Sequence, residues 1–217
     1  MKAGRIGPDD MFGAVDLQPT FMPGGDLPVP GGDEVVPIIN DLLAGPFRQA
    51  FATQDWHPPG HLSFASAHAG VAPFDTVQLS YGPQTLWPDH ALQGSRNAEL
   101  HPAFDTSRVE LILRKGFRPE IDSYSAFREN DRRTLTGLHG WLQERGVRRL
   151  FLAGLALDFC VAWSAEDAAE LGYEVVVIVD ACRGINAPGE QGGSADAALE
   201  RLRALGVTLT TAAAVST

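Results

Sequence analysis

The sequence predicts an α/β fold: a three-layer αβα sandwich around a mostly parallel six-stranded sheet. Three observations predict it. Short apolar runs alternate with stretches of helical period along the chain, the order expected of a parallel sheet with crossover helices. The runs are too uniformly apolar to keep one face wet, as strands buried on both sides are. The helical stretches close on glycines Gly45, Gly146, Gly172 and Gly206, where a left-handed residue ends a helix without steric cost.

In chain order, Phe12–Leu17 is an apolar run bounded by Gly and Pro and reads as the first strand. Asp33 is placed to cap a helix whose Val35, Ile38, Ile39, Leu42 and Leu43 share one face. Phe47–Thr53 is the second strand and Val109–Leu113 the third. A helix over 134–145 aligns Leu135, Leu138 and Leu142, and Arg149–Ala153 follows as the fourth strand. Helix 158–171 leads to Glu174–Val179, the most β-branched run, and helix 194–205 leads to the sixth strand, Val207–Thr211. The stretch 55–104 breaks the rhythm. It is rich in Pro, Gly, His and aromatics without a clean period, and an irregular segment of that length inside a domain usually carries function. No repeat or linker divides the chain, so residues 1–217 read as one domain.

Composition narrows the function. With 17 basic and 27 acidic residues the formal charge is −10, which argues against nucleic acid and anionic membranes as partners. No secretory leader is visible, and no apolar run approaches the roughly 18 residues of a membrane span. Two cysteines make no disulfide framework. The expectation is a cytoplasmic protein acting on a small molecule, with homo-oligomerisation left open.

In an open parallel sheet, ligands bind beyond the carboxyl ends of the strands. Asp16, Asp55 with His57, Lys115 and Cys160 fall at or just after the first four predicted strands. A lone cysteine at a helix start is usually a small buried hydrophobe. Here the helix N-terminus would lower the thiol pKa, and the turn Gly154–Asp158 offers N–H groups to an oxyanion. Lys115 is one of only two lysines, the other being Lys2, in a chain that otherwise uses arginine. A compact cation beside Asp16 is a task arginine fills poorly. Thiol, carboxylate and ammonium together suggest an activated nucleophile. Cys182 has no such company and reads as structural. Asp55-Trp56-His57 and His90 in Trp87-Pro88-Asp89-His90 supply a divalent transition-metal set with open positions. His68 is a decoy, and spacing alone leaves His61 open as a fourth ligand.

These residues fall in motifs that resemble a known family. Val15-Asp16-Leu17-Gln18-Pro19-Thr20-Phe21, Lys115-Gly116 and Gly154-Leu155-Ala156-Leu157-Asp158-Phe159-Cys160 resemble the motifs of the isochorismatase-like cysteine hydrolases. Thr53–Pro58, Trp87–His90, Asp122–Phe127 and Asp180–Asn186 narrow the likeness to the nicotinamidases. The resemblance implies the isochorismatase-like fold, a catalytic triad of Asp16, Lys115 and Cys160, and metal ligands Asp55, His57 and His90. The implied ion is zinc, with iron or manganese as alternatives. It further implies pocket walls of Phe21, Trp87, Tyr124 and Phe159, a cis peptide at Ala156–Leu157, and an oxyanion hole from the N–H groups of Ala156 and Cys160. Leu157 stands where relatives carry threonine. The implied reaction is hydrolysis of nicotinamide, and of pyrazinamide, through a thioester.

The rivals are weaker. A metal-independent amidase or carbamoyl hydrolase of the same family leaves the Asp55/His57/His90 set unexplained. A nucleotide-binding module would want a glycine-rich phosphate turn where this chain has Asp16-Leu17-Gln18-Pro19. A non-catalytic binding protein would not need the triad.

Overall fold

All six apolar runs enter one sheet in the computed structural model, which describes residues 5–189 and 192–215; Lys2 lies outside them. The strands are β1 (Asp10–Val15), β2 (Ala50–Asp55), β3 (Val109–Lys115), β4 (Arg149–Leu155), β5 (Glu174–Arg183) and β6 (Thr208–Thr210). They are ordered β6-β5-β4-β1-β2-β3, and every pairing is parallel. The chain winds outward from β1 through β2 to β3, then returns to pair β4 on the other side of β1. The reversal between β1 and β4 opens a crevice at the carboxyl edge, where ligands bind in sheets of this kind.

Helices α1 (Val35–Ala44), α2 (Leu138–Glu144), α3 (Ala162–Glu170), α4 (Ser194–Ala204) and α5 (Ala212–Val215) complete the layers. The right-handed crossover rule puts α1 and α3 on opposite faces, because their flanking strands run outward in opposite directions. β1 and β2 are buried at every residue, as a doubly covered sheet requires. Among the described residues no helix is long and apolar enough to cross a membrane.

Several boundaries differ from the sequence expectation, each for a local reason. β2 starts at Ala50 rather than Phe47. Phe47 is buried outside the strand, its ring 4.9 Å from Phe12 and 5.0 Å from Phe151, so an apolar run marks the core without fixing where pairing starts. α2 starts at Leu138, because the Asp131 carboxylate accepts the Arg133 and Thr134 N–H groups in a preceding turn. That turn leaves Leu135 exposed rather than on the buried stripe. Asp33 falls in a 3-10 turn and caps nothing. β5 runs on to Arg183, so Cys182 lies inside the strand and not after it. Within 55–104 the chain forms a hairpin, Thr76–Leu79 against Gly82–Thr85, that no periodicity announces.

Gly154 lies in β4 beside β1 with φ of +125°, and a Cβ there would stand 2.1 Å from Val15 O. Gly154→Ala therefore combines an unfavourable backbone with overpacking and should destabilise the protein by about 3 kcal/mol, read as a lower urea midpoint.

Candidate active site

β2 and β3 end at the same height, β1 ends two residues earlier, and the residues at and just beyond these ends build the site. The register pairs Asp55 with Lys115, the last residues of β2 and β3. Asp16 follows β1 directly, in the left-handed region at φ 50°, which turns its side chain at the strand exit; Asp tolerates this conformation better than most residues. Gln18 locks the neighbouring strand end: its amide accepts the Asp55 N–H at 2.7 Å and donates to Asp55 O at 2.9 Å.

Lys115 is 1% exposed, and its ammonium faces four acceptors. Nζ lies 2.8 Å from Asp16 Oδ2 and donates to Asp55 Oδ1, to Ser123 O at 3.1 Å and to Cys160 Sγ at 3.4 Å. The sequence presents the triad and the metal set as two groups; the structure joins them through one cation. Burial tends to discharge Lys115, but Asp16, Asp55 and Cys160 outweigh it and hold the ammonium pKa well above its ordinary value. Burial also works to raise Asp55, yet Lys115 and the two imidazoles keep its carboxyl below the usual carboxylate range. For Asp16 burial prevails over Lys115, and its pKa rises to about 6.

Cys160 lies in the first turn of a helical stretch, as expected; that turn is a π turn, Leu157–Val161, which runs directly into α3, but the expected acidification of the thiol does not follow. Burial pushes the thiol pKa well up, with Lys115 acting the other way. The resting group is a thiol, so nucleophilic use of Cys160 requires a base. Asp16, Asp55 and Cys160 bring donor atoms within 4.8 Å of one another, and Asp16 is the carboxylate of raised basicity. The cis peptide lies at Leu155–Ala156, one bond earlier than expected at Ala156–Leu157, since residue types do not specify which bond in a loop isomerises. The N–H groups of Phe159 and Val161 both donate to Ala156 O at 3.1 Å, tightening the turn. Leu157 is buried in the core.

Asp55, His57 and His90 come together as expected. His57 Nδ1 is 2.8 Å from Gly116 O and His90 Nδ1 is 2.9 Å from Pro88 O. With those N–H groups committed to carbonyls, both Nε2 atoms turn towards Asp55 Oδ2, at 3.8 and 3.9 Å. Two imidazoles oriented from behind around one carboxylate oxygen are the donor set and outer support a divalent transition metal requires. Gly116 makes room for this: at φ +65°, a Cβ would stand 2.3 Å from His57 Cε1. Burial and the His57 charge lower the His90 pKa to about 4, which keeps that ring neutral at physiological pH. His61 does not join the set. Its Nδ1 bonds Ser63 Oγ at 2.8 Å, Nε2 is unpartnered, and it groups with His57 and Asp122. His68 bonds Leu62 O and stays outside. Cys182 donates to Ile178 O at 3.3 Å, its pKa raised to about 12 by burial.

Cys160 and the Asp55/His57/His90 group line one narrow cleft. All four expected wall residues, Phe21, Trp87, Tyr124 and Phe159, line it too, as does Ala156. Trp87 meets Phe159 edge-on, ring centroids 4.9 Å apart, and donates its indole N–H to Tyr124 OH at 3.1 Å. Such a slot suits a small flat ring with polar ends. Sequence reasoning missed Leu27, Asp122 and Ile185 as lining residues, and Thr53 and Ser123 as partners of Asp16 and Lys115. Asp122, Ser123, Ile185 and Thr53 sit within the motifs noted above; Leu27 carries no signal that could have singled it out.

Comparison with known proteins bears on this geometry. The isochorismatase domain model matches residues 14–214. A nicotinamidase of Acinetobacter baylyi is 52% identical over 193 residues, covering 89% of this chain and 88% of that protein. The crystal structure of PnC1 from L. infantum in complex with nicotinate superposes with a TM-score of 0.84 at 36% identity, covering 98% of each chain. The pyrazinamidase of Pyrococcus horikoshii in complex with zinc gives a TM-score of 0.73 at 30% identity, covering 94% of this chain and 99% of that one.

The shared cation makes a stability demand. In metal-free protein, Lys115→Met strands two buried carboxylates and should cost about 3–5 kcal/mol of unfolding free energy, measured by urea denaturation.

Proposed function

The chain belongs to the isochorismatase domain family, and from that premise we propose that it is a nicotinamidase that hydrolyses nicotinamide to nicotinate and ammonia, and also accepts pyrazinamide. The observation that carries the reading is a single aromatic-walled cleft lined both by Cys160 and by the Asp55/His57/His90 group, with Lys115 linking the two. The nicotinamidase from Acinetobacter baylyi and the nicotinate complex of the L. infantum protein support it.

In this mechanism Asp16 accepts the Cys160 proton as Sγ attacks the amide carbon. The carbonyl π pair moves onto oxygen, where the N–H groups of Ala156 and Cys160 receive the charge. Asp16 returns the proton to the amide nitrogen, the C–N bond breaks and ammonia leaves, with the acyl group on Sγ. Asp16 then takes a proton from water as its oxygen attacks the thioester, and hands that proton to the departing sulfur. Lys115 holds the negative charge that passes between Asp16 and Cys160. Phe21, Trp87, Tyr124 and Phe159 hold the ring and exclude bulk water. Asp55, His57 and His90 would hold one divalent metal ion, which when bound supplies a Lewis acid for the ring nitrogen; zinc is favoured, as in the Pyrococcus horikoshii complex, over iron or manganese. The free thiols Cys160 and Cys182 support a reducing, cytoplasmic setting for this one-domain enzyme.

Purified protein should release ammonia from nicotinamide, Cys160→Ala should release none, and Cys182→Ala should remain active. An active Cys160→Ala variant overturns the thioester. Elemental analysis tests the metal separately: about one ion per chain is expected, lost in His57→Ala and in His90→Ala but kept in His68→Ala. Full retention in both of the first two would move the chain to the metal-independent amidases of the family.

A further inference from the structure

Thr53 lies on β2 two residues before Asp55 and is fully buried. Its hydroxyl makes two contacts with one residue. It donates to Asp16 Oδ1 at 2.6 Å and accepts the Asp16 N–H at 3.1 Å. The pair pins both the backbone and the carboxylate of a residue held at φ 50°, so the side chain at this strained exit has one orientation. The two carboxylate oxygens are thereby made unequal. Oδ1 takes the single hydroxyl proton of Thr53, whereas Oδ2, buried and 2.8 Å from Lys115 Nζ, accepts no well-directed hydrogen bond.

We propose that Thr53 is a positioning residue for hydrolysis: by committing Asp16 Oδ1 it leaves Oδ2 as the oxygen that takes and returns the Cys160 proton. The inference rests on the proposed nicotinamidase reading for its reaction, though not for its geometry. In the step concerned the S–H bond breaks, an O–H bond forms on Oδ2, and the electron pair stays on sulfur. The Thr53 bond to Oδ1 survives in both states, since a neutral carboxyl keeps a carbonyl oxygen to accept it. Without the hydroxyl, Asp16 rotates or turns Oδ1 inward, and proton transfer loses its geometry rather than its base.

Thr53→Val keeps the shape and removes the hydroxyl; Thr53→Ser keeps the hydroxyl. Metal-loaded variants are assayed for kcat and KM with nicotinamide. In a Cys182→Ala background, the rate of Cys160 alkylation by iodoacetamide is followed in parallel. Thr53→Val should lower kcat about tenfold to a hundredfold, part of what general acid–base catalysis contributes, with unchanged metal content and KM within about twofold. Alkylation should slow with it, and Thr53→Ser should restore both. Wild-type kcat and alkylation in Thr53→Val, or a loss that serine does not restore, would overturn the proposal. Should the valine variant not fold, Thr53→Ala is read by the same two measurements. If wild-type protein releases no ammonia from nicotinamide, the substrate reading fails, while the alkylation comparison still decides the role of Thr53.

Discussion

A buried ammonium shared by two carboxylates is the constraint on which the rest of this structure depends. Lys115 cannot stay charged inside a protein without partners, and it has two, Asp16 and Asp55, each at the end of a different neighbouring strand. That demand draws the exit of β1 and the ends of β2 and β3 towards one point. It also leaves the cluster with one positive charge against two negative ones, an imbalance that a divalent ion at Asp55, His57 and His90 would relieve. The same ammonium reaches Cys160 Sγ, so Cys160, Asp16 and the Asp55 carboxylate that faces the two imidazoles answer to a single side chain. An arginine would not serve, because its planar fork cannot sit at the meeting point of three groups converging from different directions.

Backbone geometry turns this electrostatic demand into a site. Asp16 occupies a left-handed conformation at the strand exit, and Gly116 yields the space that His57 needs. Gly154 lets β4 press against β1 immediately before the Cys160 turn. Each is a local departure from ideal strand geometry, and each lies within a few residues of a reactive group. The glycines take up their conformations without steric cost, whereas the strain at Asp16 persists because surrounding packing over-determines it. Here the closely paired, fully buried β1 and β2 do so.

The pocket is the complement of the polar cluster. Trp87, Tyr124 and Phe159 meet edge-to-face and present flat apolar walls, while the indole N–H of Trp87 and the hydroxyl of Tyr124 join a polar network. Gln84 organises that network: it donates to Tyr124 OH and Asp122 Oδ2 and accepts from Tyr81 OH. A side-chain amide buried with its donors and acceptors satisfied makes the wall rigid.

The sequence by itself determined the six strand positions in outline, the parallel fold, and the reactive residues at the strand ends. It could do so because burial on both faces of the central strands writes a continuous apolar run, while the edge strand β3 alternates between half-buried and exposed, and because Asp16 and Cys160 stand out against apolar neighbours and Lys115 against a chain that otherwise uses arginine. The meeting of Asp55 with His90, contributed by separate segments, was also legible, since metal-type ligands cluster in composition before they cluster in space. Only the tertiary structure decided the rest. That Lys115 serves both carboxylates, that the Cys160 thiol is raised rather than acidified, that His61 groups with Asp122 rather than Asp55, and that Thr53 holds Asp16 all depend on distances between segments far apart in the chain. Exposed Leu135 and the start of β2 after Phe47 show the same limit from the other side. Periodicity records which residues prefer the interior, but register, turn chemistry and the direction of a side chain are settled by partners far away in the chain.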